Sequence, residues 1–153
     1  MSVSWNPWHG CRKISEGCRH CYVYRQDALH ERDSREVVRT AAFGLPVRRG
    51  RDGRFRIPPG ERVYTCFTSD FLVEEADGWR AEAWEMMRLR RDLEFFFITK
   101  RIGRLREQLP PDWGDGYENV TVGCTVENQA AADLRLPLFL ETPPRHRVIV
   151  RAP

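Results

Sequence analysis

Lysine is nearly absent from this chain, with Lys13 and Lys100 the only two among 25 Lys+Arg residues. Arginine favours bidentate contacts to phosphate and carboxylate, although a GC-rich genome produces the same bias. No stretch approaches the roughly 20 consecutive apolar residues that a membrane-spanning helix needs, and Met1-Ser2-Val3-Ser4-Trp5 lacks the charged-then-apolar layout of a secretory signal. The expected location is therefore the cytoplasm, with no membrane partner. A net charge of +3 is too small to mark a nucleic-acid binder by electrostatics alone. The five cysteines are an odd number, and reduced cytosolic thiols argue against a disulfide framework. Metal or cluster ligation becomes the leading explanation for close cysteines.

What is present is an ordinary globular balance: 153 residues, 41% hydrophobic and 31% charged, enough for one core. The reading is a single domain over 1–153, comprising a ligand loop over 1–22 and a charged surface loop over 44–60. In that second segment Pro46, Gly50, Gly53, Pro58 and Pro59 are interleaved with Arg48, Arg49, Arg51, Arg54 and Arg56. Turn formers with dense charge indicate a solvated excursion before they indicate a nucleic-acid patch.

Strands are predicted at Val3–Trp5, Arg62–Phe67, Leu93–Ile98, Asn119–Cys124 and Arg147–Val150. Helical spacing is predicted between Tyr22 and Arg39, over Gly78–Arg91, over Gly103–Leu109 ahead of Pro110-Pro111, and over Gln129–Leu140 on both sides of Pro137. Strands alternating with helices are the signature of βαβ units. The fold class is α/β, a partial (β/α) barrel of about five parallel strands, TIM-barrel-like and shortened at its C-terminal side.

The strongest local signal is Gly10-Cys11-Arg-Lys-Ile-Ser-Glu-Gly17-Cys18-Arg-His-Cys21-Tyr22, with three thiols in 11 residues. Thiolates are soft ligands that suit zinc or iron–sulfur clusters, and the glycines permit the bends that converge them. Two completions are open. His9 or His20 supplies the fourth ligand of a closed structural zinc site, or a four-iron cluster rests on Cys11, Cys18 and Cys21 with one iron left open. Cys66 and Cys124 end apolar runs and read as small buried hydrophobes.

The cysteine loop follows the first strand, at the carboxyl edge where ligands bind in barrels and open sheets. Polar clusters follow the next strands: Thr68-Ser69-Asp70, Thr99-Lys100-Arg101 and Thr125 with Glu127-Asn128. Helix capping accounts for Asn128 and serves for Ser69. It does not account for Lys100 and Arg101, cations at the start of a helix, where the macrodipole disfavours them and an anion would compensate.

Trp5-Asn6-Pro7, Gly10-Cys11, Ser15, Gly17-Cys18 and Cys21-Tyr22 resemble a bacterial and phage-associated family of unassigned function, itself similar to radical S-adenosylmethionine proteins. The resemblance continues in Thr68-Ser69-Asp70-Phe71, Ile98-Thr99-Lys100-Arg101 and Val122-Gly123-Cys124-Thr125-Val126-Glu127-Asn128, in order along most of the chain. Six and then two residues separate the cysteines here, where the superfamily usually has three and then two, so the loop is longer.

The resemblance implies a [4Fe-4S] cluster on Cys11, Cys18 and Cys21 whose open iron chelates S-adenosylmethionine. It implies reductive cleavage to a 5′-deoxyadenosyl radical that attacks an unknown substrate, with nucleic acid or nucleotide a candidate, and an electron donor as partner. By strand order it assigns Ser69 and Asp70 to the methionyl amino group, Lys100 or Arg101 to its carboxylate, and Glu127 or Asn128 to the ribose. The alternative is a zinc-stabilised, non-enzymatic module binding nucleic acid or protein.

Overall fold

The structure is a computed structural model and describes residues 2–11, 36–142 and 144–151. Its centre is a five-stranded parallel sheet built from β1 (Ser2–Trp5), β4 (Arg62–Thr65), β5 (Glu94–Thr99), β6 (Val120–Val126) and β7 (His146–Arg151). These strands lie side by side in chain order. Among the described residues a separate two-stranded antiparallel ribbon pairs β2 (Trp8–His9) with β3 (Val38–Arg39). Three α-helices connect the later strands: α1 (Asp77–Leu89), α2 (Leu105–Gln108) and α3 (Gln129–Glu141). The class is α/β as expected, and the sheet is open, with β1 and β7 at its two ends. None of the described helices is long and apolar enough to cross a membrane.

Strand alternation decides which side chains make the core. The register pairs Trp5 with Thr65, Val63 with Phe95, Phe95 with Val120 and Phe97 with Val122. All seven of these side chains are buried. A parallel sheet that grows in one direction through right-handed crossovers carries its helices on one face, and these residues lie beneath them. Trp84 of α1 meets Phe71 and Phe97 edge-on at 5.0 and 6.0 Å between ring centroids, while Phe71 stacks on Phe97 at 4.3 Å. Phe139 of α3 belongs to the same buried cluster as Trp5 and Trp84.

The other face carries Tyr64, Phe96 and Ile98, all half-buried, with Phe67 beside them. Tyr64, Phe67 and Phe96 form a mutual edge-to-face triangle at 5.5–6.0 Å. The last strand, β7, is exposed along nearly its whole length, including Ile149 at 54%.

One expectation needs correction. Helical spacing is predicted up to Arg39, yet Val38–Arg39 are extended and pair with Trp8–His9; the Thr40 amide also bonds the Pro7 carbonyl at 3.0 Å. Val38 is β-branched, and with partners waiting across the ribbon it follows the pleat rather than the helical period. Residues 22–35 of that predicted helix lie outside the described residues. The charged segment 44–60 is mostly exposed but does not float. Pro46 and Ile57 are buried in it, and their carbonyls accept from the buried Arg90 guanidinium at 2.5 and 2.7 Å. Pro137 stands inside α3 without ending it.

Candidate functional site

Because the strands are parallel, their carboxyl ends share one edge, and the sequence motifs assemble there. The segment after β1 is stitched to the segment after β4. The side-chain oxygen of Asn6 accepts the amides of Phe67 at 2.9 Å and Thr68 at 3.2 Å. The indole N–H of Trp8 donates to the Asp70 carbonyl at 3.1 Å, and the Gly10 amide donates to the Thr68 carbonyl at 3.2 Å. Ser69 closes the seam by donating its hydroxyl to the Gly10 carbonyl. Gly10 has φ 97°, where a β-carbon would be strained. This turn delivers Cys11, half-buried, to the strand ends.

Cys66 follows β4 with φ 63°, an uncommon backbone state for a residue with a side chain. Its amide bonds the Trp5 carbonyl at 2.8 Å, which keeps the two strand ends together. Burial pushes the Cys66 thiol well up, and negative charge at Asp70 and Cys11 pushes it further. Burial likewise pushes Cys124 up to about 11, with Arg135 opposing. Both cysteines behave as the buried hydrophobes the sequence indicated.

Asp70 is the junction of the next two strand ends. It is 5% exposed and accepts four hydrogen bonds. Oδ1 takes the Leu72 amide at 2.9 Å and the Thr99 hydroxyl at 2.6 Å; Oδ2 takes the Lys100 amide at 3.0 Å and Arg101 Nη1 at 3.2 Å. Four donors on one carboxylate fill its acceptor sites.

Arg101 Nη1 also lies 3.5 Å from Cys11 Sγ, and Nε lies 3.4 Å from Glu74 Oε2. Burial alone would lower the Arg101 pKa, but Asp70, Cys11 and Glu74 outweigh it and raise the value. The anions that compensate this cation at a helix start are therefore groups of the protein itself.

Beyond β6, Glu127 forms a two-pronged pair with Arg135 of α3, at 2.8 and 3.5 Å, with side chains 4% and 7% exposed. The same guanidinium donates to the Thr125 carbonyl at 2.7 Å. Asn128 caps α3: its side-chain oxygen accepts the Ala131 amide at 2.8 Å. The capping expectation holds for Asn128, whereas Ser69 serves the cysteine loop instead.

Of the residues assigned from sequence, Cys11, Ser69, Asp70, Lys100 and Arg101 come together at the ends of β1, β4 and β5. Glu127 and Asn128 follow β6. Cys18 and Cys21 lie outside the described residues, as does His20. Among the described residues no group of three or more His, Cys, Asp or Glu side chains could hold a metal. The part that can be tested against a cluster is Cys11, a half-buried sulfur beside a guanidinium, and this suits a thiolate ligand.

Sequence reasoning missed Asn6, Glu74 and Arg135. Glu74 stands four residues past Asp70, and Arg135 stands eight past Glu127, on the helix that packs over β6.

Fold and edge together define an open parallel α/β protein whose strand ends gather a thiol, a buried arginine and a buried carboxylate. The chain belongs to the family described as "Protein of unknown function (DUF5131)", whose profile matches residues 1–153. No curated protein and no solved structure matches it.

Proposed function

We propose that this chain is an iron–sulfur protein of the radical S-adenosylmethionine type, built on part of a β/α barrel. It would bind a [4Fe-4S] cluster through Cys11, Cys18 and Cys21 and act on an unknown substrate, with nucleic acid or nucleotide one candidate class. The carrying observation is the placement of Cys11 at the carboxyl edge, 3.5 Å from Arg101 and joined through it to Asp70. A structural zinc site has no need of that edge, whereas a cofactor site in a parallel sheet belongs there.

The chain-order arrangement of the strands supports the barrel reading, since a barrel sheet grows strand by strand in the same sense. When bound, the cluster would supply the electron that cleaves S-adenosylmethionine to a 5′-deoxyadenosyl radical. The chain's own part is to hold and orient. Ser69 fixes the loop that carries Cys11, and by strand order Ser69 and Asp70 are the residues that would lie toward the methionyl amino group. Lys100 or Arg101 would supply positive charge for the carboxylate, and Glu127 or Asn128 would meet the ribose. An electron donor and cytoplasmic location belong to the same reading.

Anaerobic purification of the full chain tests it. Brown protein with iron and sulfide, bleached by Cys18→Ala, is the expected result. Colourless protein carrying one equivalent of zinc would overturn the reading in favour of a non-enzymatic, zinc-stabilised binding module.

A further inference from the structure

We infer that Arg101 is a positioning residue for the ligand thiolate, and that its guanidinium serves the sulfur of Cys11 instead of a substrate or cofactor carboxylate. The inference rests on reading Cys11 as a ligand. It separates two adjacent cations that strand order alone leaves interchangeable.

The geometry of Arg101 is over-determined. Its side chain is 5% exposed. Its amide donates to the Thr99 hydroxyl at 2.9 Å, and that hydroxyl donates onward to Asp70 at 2.6 Å. Nη1 is shared between Asp70 at 3.2 Å and Cys11 Sγ at 3.5 Å, while Nε faces Glu74 at 3.4 Å. A planar fork that is 5% exposed and has Nη1 committed to Asp70 and Cys11 has little freedom to turn toward an incoming ligand.

The contact to sulfur is one that changes when a metal or cluster draws charge from the thiolate. Hydrogen bonds to ligating sulfurs orient the ligand and tune the metal's electronic properties. Lys100 differs: its amide is tied to Asp70, and its side chain is half-buried.

The test uses the metal-free full chain under anaerobic conditions, titrated with cobalt(II) alone while the thiolate-to-cobalt charge-transfer band is followed. Arg101→Gln is expected to weaken cobalt binding by about tenfold and to shift the band, as loss of an outer hydrogen-bond partner does at other metal sites. Arg101→Lys, which keeps the charge and loses the fork, is expected to fall between the two.

Gly123→Ala, a crowding change against Ile98 and Phe96 in the middle of β6, controls for lost stability and should leave band and affinity unchanged. An Arg101→Gln protein that titrates like the wild type would overturn the inference, as would an equal shift in Gly123→Ala. If Arg101→Gln does not fold, Arg101→Lys decides: wild-type behaviour overturns the inference, and weaker binding with a shifted band supports it. Iron and sulfide analysis separates this from the reading beneath it. Arg101-dependent cobalt binding in a protein that never takes up iron and sulfide removes the cluster but leaves the arginine's role standing.

Discussion

The side-chain oxygen of Asn6 accepts the amide of Phe67, 61 residues further along the chain, at 2.9 Å, and takes the neighbouring Thr68 amide as well. One short side chain thus satisfies two backbone donors in the turn that leads to Asp70. Asn6→Ala leaves both donors without that acceptor in a half-buried seam, and each orphaned group costs roughly 1–3 kcal/mol. The expected result is a loss of about 2 kcal/mol or more, read as a lower urea midpoint. Asn6→Asp keeps the acceptor and should lose clearly less. Equal losses in the two variants would show that the oxygen is not what matters.

That bond also explains what could be read in advance. The five parallel strands are legible because runs such as Arg62-Val-Tyr-Thr and Glu94-Phe-Phe-Phe-Ile-Thr are rich in β-branched and aromatic residues, and recur between helical patterns. Asn128 is legible as a cap because capping is local, three residues from donor to acceptor. The ribbon of Trp8–His9 with Val38–Arg39 is not legible. Two-residue strands carry no period of their own, and they exist here because Thr40 reaches back to Asn6 and Pro7. Trp5-Asn6-Pro7 is legible only as a pattern, since its partners are far away in sequence. Glu74 and Arg135 escaped for the same reason: charges on helical segments look solvated until the fold pairs them with Arg101 and Glu127.

Acid stability should depend on Asp92. The Arg90 side chain is fully buried and bonds Asp92 at 3.0 and 2.8 Å, and this pairing holds the Asp92 carboxyl below its ordinary value of 3.8. A carboxylate whose folded pKa is depressed contributes stability above its unfolded pKa, and that contribution is lost as pH falls through the folded value. Wild-type protein should therefore lose stability progressively below about pH 4, in part through this group. Asp92→Asn should be less stable at neutral pH and show a shallower decline between about pH 5 and pH 2. Thermal midpoints across that range check it, and parallel curves for the two proteins would contradict it.

The two buried cysteines should be chemically silent. Cys66 is 1% exposed with its thiol pushed well up by burial, and Cys124 is 0% exposed and pushed up to about 11. Alkylation requires an accessible thiolate, so brief iodoacetamide treatment of the native protein near pH 8 should leave both unmodified, as mapped by peptide mass spectrometry. The same treatment in denaturing urea should label both fully. Native labelling of Cys66 would contradict its placement beneath the edge.

Gly123 tests the sheet face opposite the helices. A β-carbon there would lie 2.8 Å from Ile98 Cγ2 and 3.4 Å from the Phe96 ring. The nearer atom is a β-branched methyl, held by a stiff χ1, so it yields poorly. Gly123→Ala should cost about 1–3 kcal/mol through overpacking. Ile98→Ala removes the obstructing methyl at its own cost. The two substitutions together should therefore destabilise less than the sum of the single changes, a coupling of about 0.5 kcal/mol or more in a double-mutant cycle. Strict additivity would mean that Ile98 does not lie over Gly123.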